Sequence, residues 1–431
     1  MVESIIPNGW AKVKFSDYII FQEGPGLMSF LFKEAGFPFV NIRCIENGSI
    51  NKETCQFISG DIANGVYKHF QLEEDDLIVS TSGTLGKKAF VKKTDLPLLL
   101  NTSIIRFKPK NTDNISLYFL NYLLEDYSFL YDLYSQSTGS AQVNVGPSHL
   151  KKLFIKIPKS ITEQQSIANI LTKTDQAIAN TEALIAKYTH IKTGLMQDLL
   201  TKGIDEKGNI RTEQTHVFKD SPLGRIPQEW ECLSIKDIAE RLRSGVTPKG
   251  GSDVYEKEGI LLIRSQNVYS YGFKLDDVAY INEEINNRML GSQLKEFDVL
   301  LNITGASIGR ATYVPEGFPR ANVNQHVCAI RLKKADVNNA IFLSSYLNSI
   351  YGQNQIYQNI AGSNREGINY TQIKEINVPF FNNDFELEKF SEMVIKSNER
   401  INSEMKKLTK LQYLKTGLMQ DLLTGKVRVK I

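Results

Sequence analysis

The chain has 431 residues, 42% apolar and 23% charged, which is ordinary for a soluble protein and leaves room for two or three domains with real cores. Lys and Arg (51) nearly balance Asp and Glu (48), so the net charge of +3 says little about partners; its distribution says more. No run approaches the ~18 apolar residues of a membrane helix, and the opening MVESIIPNGW lacks the basic start and apolar core of a signal peptide. A soluble, cytoplasmic protein is therefore expected. The four cysteines (Cys44, Cys55, Cys232, Cys328) show no CxxC or Cys/His spacing, so buried free thiols are expected rather than disulfides or a zinc site.

In chain order, IPNGW (Ile6 to Trp10) opens a first unit and IPQEW (Ile226 to Trp230) a second; these hold the only two tryptophans, each read as an anchor for a first strand. PFVNIRCIENGSI from Pro38 and ILLIRSQNVYSYGF from Ile260 both read as strand, turn, strand. DLIVSTSGTLGKKAFV from Asp76 and DVLLNITGASIGRATYV from Asp298 then match as strand, polar Gly loop, basic residue and strand. Basic charge gathers around these loops. Residues 81–110 hold Lys87, Lys88, Lys92, Lys93, Arg106, Lys108 and Lys110 against Asp95, a local +6. Residues 301–334 hold Arg310, Arg320, Arg331, Lys333 and Lys334 against Glu316, a local +4. Matched positive loops in two halves suit a protein touching two stretches of polyanion.

An amphipathic helix follows in each unit, around residues 116–135 and 340–357. Next come a polar loop (STGSAQVNVG from Ser137, AGSNREGINY from Ala361) and a short strand ending in proline (FIKIP, EINVP). Thr162 and Asp384 are the expected caps of the long helices that come next. Each of those helices ends in KTGLMQDLLT, at residues 192–201 and 415–424, identical at ten positions and displaced by 223. A repeat of this kind has to be found before any fold is assigned.

Stepping back alternately by four and three from Leu199 gives Leu195, Lys192, Tyr188, Ile185, Thr181, Ile178, Thr174, Leu171 and Ile167. The same steps from Leu422 give Leu418, Lys415, Leu411, Leu408, Glu404, Ile401, Ser397, Val394 and Phe390. This is a heptad seam, carried over more than four heptads. About 40 residues at ~1.5 Å each predict a rod of roughly 60 Å. Two matched seams in one chain are best satisfied by each other, and their polar members are expected to fix register and partner. The segment between the units, TKGIDEKGNIRTEQTHVFKDSPLGRIP, reads as a linker or extended crossing segment.

No motif promises chemistry. SGTLGKK fails as a phosphate loop, because only two residues separate Gly83 from Gly86 where four are needed, and Lys88, not Ser or Thr, follows Lys87. No GxGxxG stands between a strand and a helix, no Asp/Asn-Pro-Pro-aromatic motif is present, and the five histidines lack HExxH spacing. The polypeptide reads as non-catalytic and without a metal.

The paired GLMQDLLT helices, the lead-in SPLGRIPQEWE, the loop GASIGRATYV and the half-repeat resemble the specificity subunit of type I DNA restriction–modification systems over essentially the whole chain. The resemblance implies an α+β fold: two α/β target-recognition domains joined by two long antiparallel helices forming a coiled coil, with a pseudo-two-fold internal repeat. It places the domains at residues 1–160 and 227–383, the long spacer helices at 161–203 and 384–425, a linker at 204–226 and a C-terminal tail at 426–431. It further implies a sequence-specific DNA-binding subunit that reads a bipartite double-stranded target and scaffolds two methyltransferase (modification) subunits. Restriction/translocase subunits can join, in systems that serve DNA methylation and phage defence. No cofactor is expected on this chain; S-adenosylmethionine is expected in the partner methyltransferase subunits.

Base edges are read by donors and acceptors, while Lys and Arg on phosphate only position the protein. The expected DNA contacts are Ser82, Thr84, Lys87 and Lys88 in the first domain and Thr304, Ser307 and Arg310 in the second. Around them Asn41, Arg43, Gln142 and Asn144 answer to Arg264, Gln266, Asn267, Asn364 and Arg365, with Asn324, Gln325 and His326 as weaker candidates. The expected helix-pair seam is Leu171, Ile178, Ile185, Tyr188, Leu195 and Leu199 against Val394, Ile401, Leu408, Leu411, Leu418 and Leu422. A ~60 Å rod is compatible with half-sites about one duplex turn (~34–36 Å) apart. FQEGPGLMSF replaces RSGVTPKGGSDVY in the first unit, so its outer loops are expected to read DNA differently. The competing reading is a coiled-coil adaptor that recruits proteins without binding DNA.

Overall fold

The heptad pattern is realised as two long helices, Ile161–Thr201 and Asp384–Leu422. The computed structural model describes residues 6–81, 86–135, 146–248, 254–361 and 367–429. These form two units, Met1–Glu182 with Lys407–Ile431, and Ala183–Lys406. In the first unit Ile167, Ala168 and Leu171, near the start of the first helix, share a core with Leu422 and Leu423 at the end of the second. In the second unit Leu199 and Leu200 meet Leu387, Phe390 and Val394. Start meets end in both, so the helices run antiparallel. All twelve seam residues are buried or half-buried. The hydroxyls of Thr174, Thr181 and Ser397 donate to carbonyls one turn back in their own helix, at 3.0, 2.8 and 2.7 Å. These three satisfy themselves and choose no partner. The lysines do cross the pair: Lys192 donates to Asn398 (2.6 Å) and Lys415 pairs with Asp175 (2.7 Å).

Each unit repeats one topology. In the first, Ile19–Glu23, Ile104–Pro109, Leu77–Ser80 and Lys88–Phe90 lie in that order in an antiparallel sheet. In the second the order is Ala239–Ser244, Val327–Leu332, Val299–Asn302 and Ala311–Tyr313. A second sheet contains one parallel pairing in each unit, Phe39 beside Leu99 and Leu261 beside Ala321, so the register itself is duplicated at a displacement of 222. The strand after each tryptophan pairs with the strand ending in proline: Trp10–Lys14 with Phe154–Pro158, and Glu231–Ser234 with Asn377–Phe380. Both tryptophans are buried.

Local chemistry closes the long helices. Gly203 and Gly425 have φ of +62° and +72°, and a Cβ there would strike Trp230 at 2.3 Å and Trp10 at 2.8 Å. Only glycine fits this left-handed close approach. In the first turns, Glu163 is held by Arg428 (2.6 and 2.7 Å) and Glu386 by Arg211 (2.5 and 3.0 Å).

Three expectations are corrected. The helix expected over 116–135 is two, Leu117–Leu123 and Tyr127–Tyr134, because the Asp126 side chain accepts from the amides of Ser128 and Phe129 and starts a new helix. Its counterpart breaks between Val337–Asn348 and Ile350–Ala361, where the Ser349 hydroxyl donates to the Tyr346 carbonyl and accepts from the Gly352 amide. The caps of the long helices are also one or two residues earlier than expected. Ser160 accepts from the Glu163 amide and Asn383 from the Phe385 amide, since a cap must precede the first helical residue. Of the two readings of the segment between the units, a free linker is set aside: it is structured, with a hairpin (Phe218–Ser221 with Gly224–Pro227) and Arg211 buried against Glu386.

Candidate nucleic-acid interface

In each unit a buried aspartate sets the strand that leads into the polar loop. Asp76 accepts from the Glu73 amide and Asp298 from the Lys295 amide, both at 2.8 Å. Burial raises the pKa of Asp76 even though Arg106 lies 3.3 Å away. In the first unit the Ser80 hydroxyl accepts from the Lys87 amide (2.9 Å), and the Thr81 amide donates to the Ser103 carbonyl. Ser82, Thr84, Gln142, Asn144, Asn364 and Arg365 lie outside the described residues.

The basic stretches are less free than their composition suggests. Lys88 turns inward, where it pairs with Glu125 and donates to the Asn121 carbonyl (2.8 Å). Burial lowers its pKa against the pull of Glu125. Lys88 is therefore corrected from a DNA contact to an internal one. Arg106 pairs with Asp76, and Lys108 with Glu73 at 2.7 Å. In the second unit Arg320 pairs with Glu283 (2.5 Å), Arg331 with Asp298 (2.6 Å) and Lys334 with Asp384 (2.8 Å). Lys333 donates to the Asp237 carbonyl. Among the described residues, Lys87, Lys92, Lys93, Lys110 and Arg310 are left without an ion pair.

Arg310 is exposed and lies 5.0 Å above the Tyr269 ring, which is itself 5.1 Å from Tyr271. An aromatic platform holds a guanidinium while leaving its donors outward. The two tyrosines were not singled out in the sequence; their alternation in VYSYGF was the available signal. Thr304 bonds the His326 ring (2.6 Å), and Ser307 accepts from Asn302, which also donates to the Ser265 carbonyl. Hydrogen bonds thus gather the loops at 265, 302–310 and 326. Gln325 is exposed beside them and accepts from the Thr247 amide, whereas Asn324 is buried and caps the turn by accepting from the His326 amide.

Two further candidates are turn-builders. Asn267 is 2% exposed; it accepts from the Arg264 amide and donates to the Lys274 carbonyl, which leaves no edge for a base. It is corrected accordingly. Asn41 accepts from the Arg43 amide in the same role, while the Arg43 side chain is exposed. Arg264 and Gln266 both engage Asp277 (2.7 Å to its carbonyl; 2.6 Å to its carboxylate), and Gln266 remains exposed.

No group of three or more His, Cys, Asp or Glu able to hold a metal occurs among the described residues. No described helix is long and apolar enough to cross a membrane.

Mixed domains repeated in two units, each presenting a strand–turn–strand with a cation left without an ion pair among the described residues (Lys87, Arg310), define a class of repeated scaffold whose loops suit recognition of a polyanion. Comparison with known sequences narrows the class. A family profile described as the type I restriction modification DNA specificity domain matches residues 7–189 and 227–381. The type I restriction enzyme MjaVIII specificity subunit of Methanocaldococcus jannaschii is 25% identical over 99% of this chain and 94% of its own. The EcoBI specificity subunit of Escherichia coli is 23% identical over 87% and 76%. The crystal structure of an S subunit from M. genitalium superposes with a TM-score of 0.60 at 17% identity, covering 100% and 98% of the two chains. A chain from a type I restriction–modification system structure on complex assembly gives 0.56 at 14% identity. The chain belongs to the type I restriction–modification DNA specificity family, and its role is DNA recognition. Membership does not favour the adaptor reading.

Proposed function

We propose that the chain reads a bipartite DNA target, one half-site per recognition domain, and carries two methyltransferase subunits that restriction subunits can join. Its own contribution is recognition and assembly rather than catalysis, with S-adenosylmethionine bound by the methyltransferase partners. The observation that carries this reading is the duplicated strand–turn–strand: equivalent pairing in both units, a cation without an ion pair in each among the described residues (Lys87, Arg310), and different polar side chains around them. Equal scaffolds with unequal loops suit two half-sites of different sequence.

The test is a map of methylated motifs in cells expressing the chain with its neighbouring subunits. Replacing the 303–310 loop should change one half of a gapped motif and leave the other half intact. A motif that changes in both halves, or in neither, overturns the assignment.

A further inference from the structure

The two units differ sharply at one repeated place. In the first, Lys415 bonds Asp175 at 2.7 Å and lies 3.5 Å from Glu125, which also holds Lys88. The Tyr122 ring sits among them with both lysines over its face, and its hydroxyl donates to Asp175 at 2.8 Å. Two cations and two carboxylates close a filled, neutral cluster. Burial is the largest influence on Lys415 and depresses it, but Asp175 and Glu125 together outweigh that and its pKa rises.

Displaced by 223, the second unit has Lys192 for Lys415, Asn398 for Asp175, Asn348 for Glu125, Ser345 for Tyr122 and Ala311 for Lys88. Both acids have become amides and the ring has become a hydroxymethyl group. Asn348 is turned to the Ala311 backbone (2.7 and 3.1 Å), so among the described residues Lys192 keeps Asn398 alone, at 2.6 Å. Where the first unit is filled, the second has a cavity of about 610 Å³ lined by Lys192, Ser345, Asn348 and Asn398 and walled by Tyr313 and Val394. Burial lowers the pKa of Lys192 with no carboxylate to restore it. The only carboxylate in the lining, Glu399, is exposed.

We propose that this cavity is a binding site for a small aromatic carboxylate, its anionic group on Lys192 and its ring in the space that Tyr122 fills in the other unit. The site borders the Tyr269–Tyr271 turn beneath Arg310, since Tyr271 lines it, but the proposal does not depend on the function proposed above. A half-buried ammonium is stabilised by an anion that the fold omits, and a drug-sized cleft with one charged group and apolar walls suits such a ligand.

The probe is 3-(4-hydroxyphenyl)propionate, titrated calorimetrically into the full-length chain, with the corresponding propanamide as the uncharged control. Saturable binding is expected for the acid and at least tenfold weaker binding for the amide. Asn398→Asp should weaken the acid at least tenfold by giving Lys192 an internal carboxylate; the pairing already exists in the first unit, so the variant should melt like wild type. Ser345→Tyr should fill the space and abolish binding. No saturable binding to wild type, equal binding of acid and amide, or wild-type affinity in both variants would each overturn the proposal.

Discussion

Glu386 offers the sharpest test of what holds the second unit together. Its carboxylate is 2% exposed and receives four donors: both Arg211 nitrogens at 2.5 and 3.0 Å, the Ile204 amide at 2.8 Å and the Trp230 indole at 3.1 Å. Arg211 is 5% exposed, with Glu229 3.4 Å away as its one other ion-pair partner among the described residues. Glu386→Ala leaves that charge buried and strands two neutral donors. Removing one partner of a buried pair costs about 3–5 kcal/mol. For a unit of this size each kcal/mol lowers Tm by roughly 2–4 °C, so a drop of about 10 °C is expected. Because each unit holds one tryptophan, fluorescence melting in a Trp10→Phe background follows the second unit alone. The equivalent Glu163→Ala should shift the first unit less, since Arg428 is exposed and can return to water. A Glu386→Ala shift under about 2 °C would refute the reasoning, as would equal shifts in both units.

Other outcomes follow from the same geometry. Lys87→Ala and Arg310→Ala should each lower the log–log salt slope of DNA binding by about 0.9 per lost phosphate contact, whereas Lys88→Ala should leave the slope unchanged and lower Tm; binding titrations across salt check both. Gly203→Ala should destabilise by more than the ~1–2 kcal/mol of a left-handed alanine, because its Cβ would meet Glu386 as well as Trp230. Gly194→Ala and Gly417→Ala, mid-helix with nothing within 4 Å, should instead stabilise by about 0.5–1 kcal/mol, read by denaturant unfolding. Ile178→Asp with Ile401→Asp places charge on the half-buried seam and should release the partner subunits in co-purification; their retention would count against the paired helices.

Much of this fold is written locally. The ten-residue repeat and the three–four spacing back from Leu199 and Leu422 report the helix pair directly, because apolar periodicity is a property of neighbouring residues. The strand–loop–strand at 76–91 is legible for the same reason. What composition could not reveal is where charge ends up. Lys88, Arg106, Lys108, Arg320 and Arg331 meet carboxylates 30 or more residues away, so three of the seven cations in the run counted as +6 are neutralised by tertiary partners. The amide of Asn267 has the chemistry of a base reader but is spent on its own turn, a role residue type alone does not separate from base reading. Arg211 looked like linker polarity until Glu386, 175 residues on, took it into the interior.

The unit built on residues 1–182 also needs a segment from beyond residue 406: Leu422 and Leu423 sit in the same core as Trp10 and Phe15. The other unit is continuous from Ala183 to Lys406. On the ribosome the second unit therefore has all its parts before residue 407 is made, while the first still lacks Leu422 and Leu423 from its interior. The usual order, in which the first-made domain folds first, meets an obstacle here, because the first-made segment lacks part of its core until the second unit has been made.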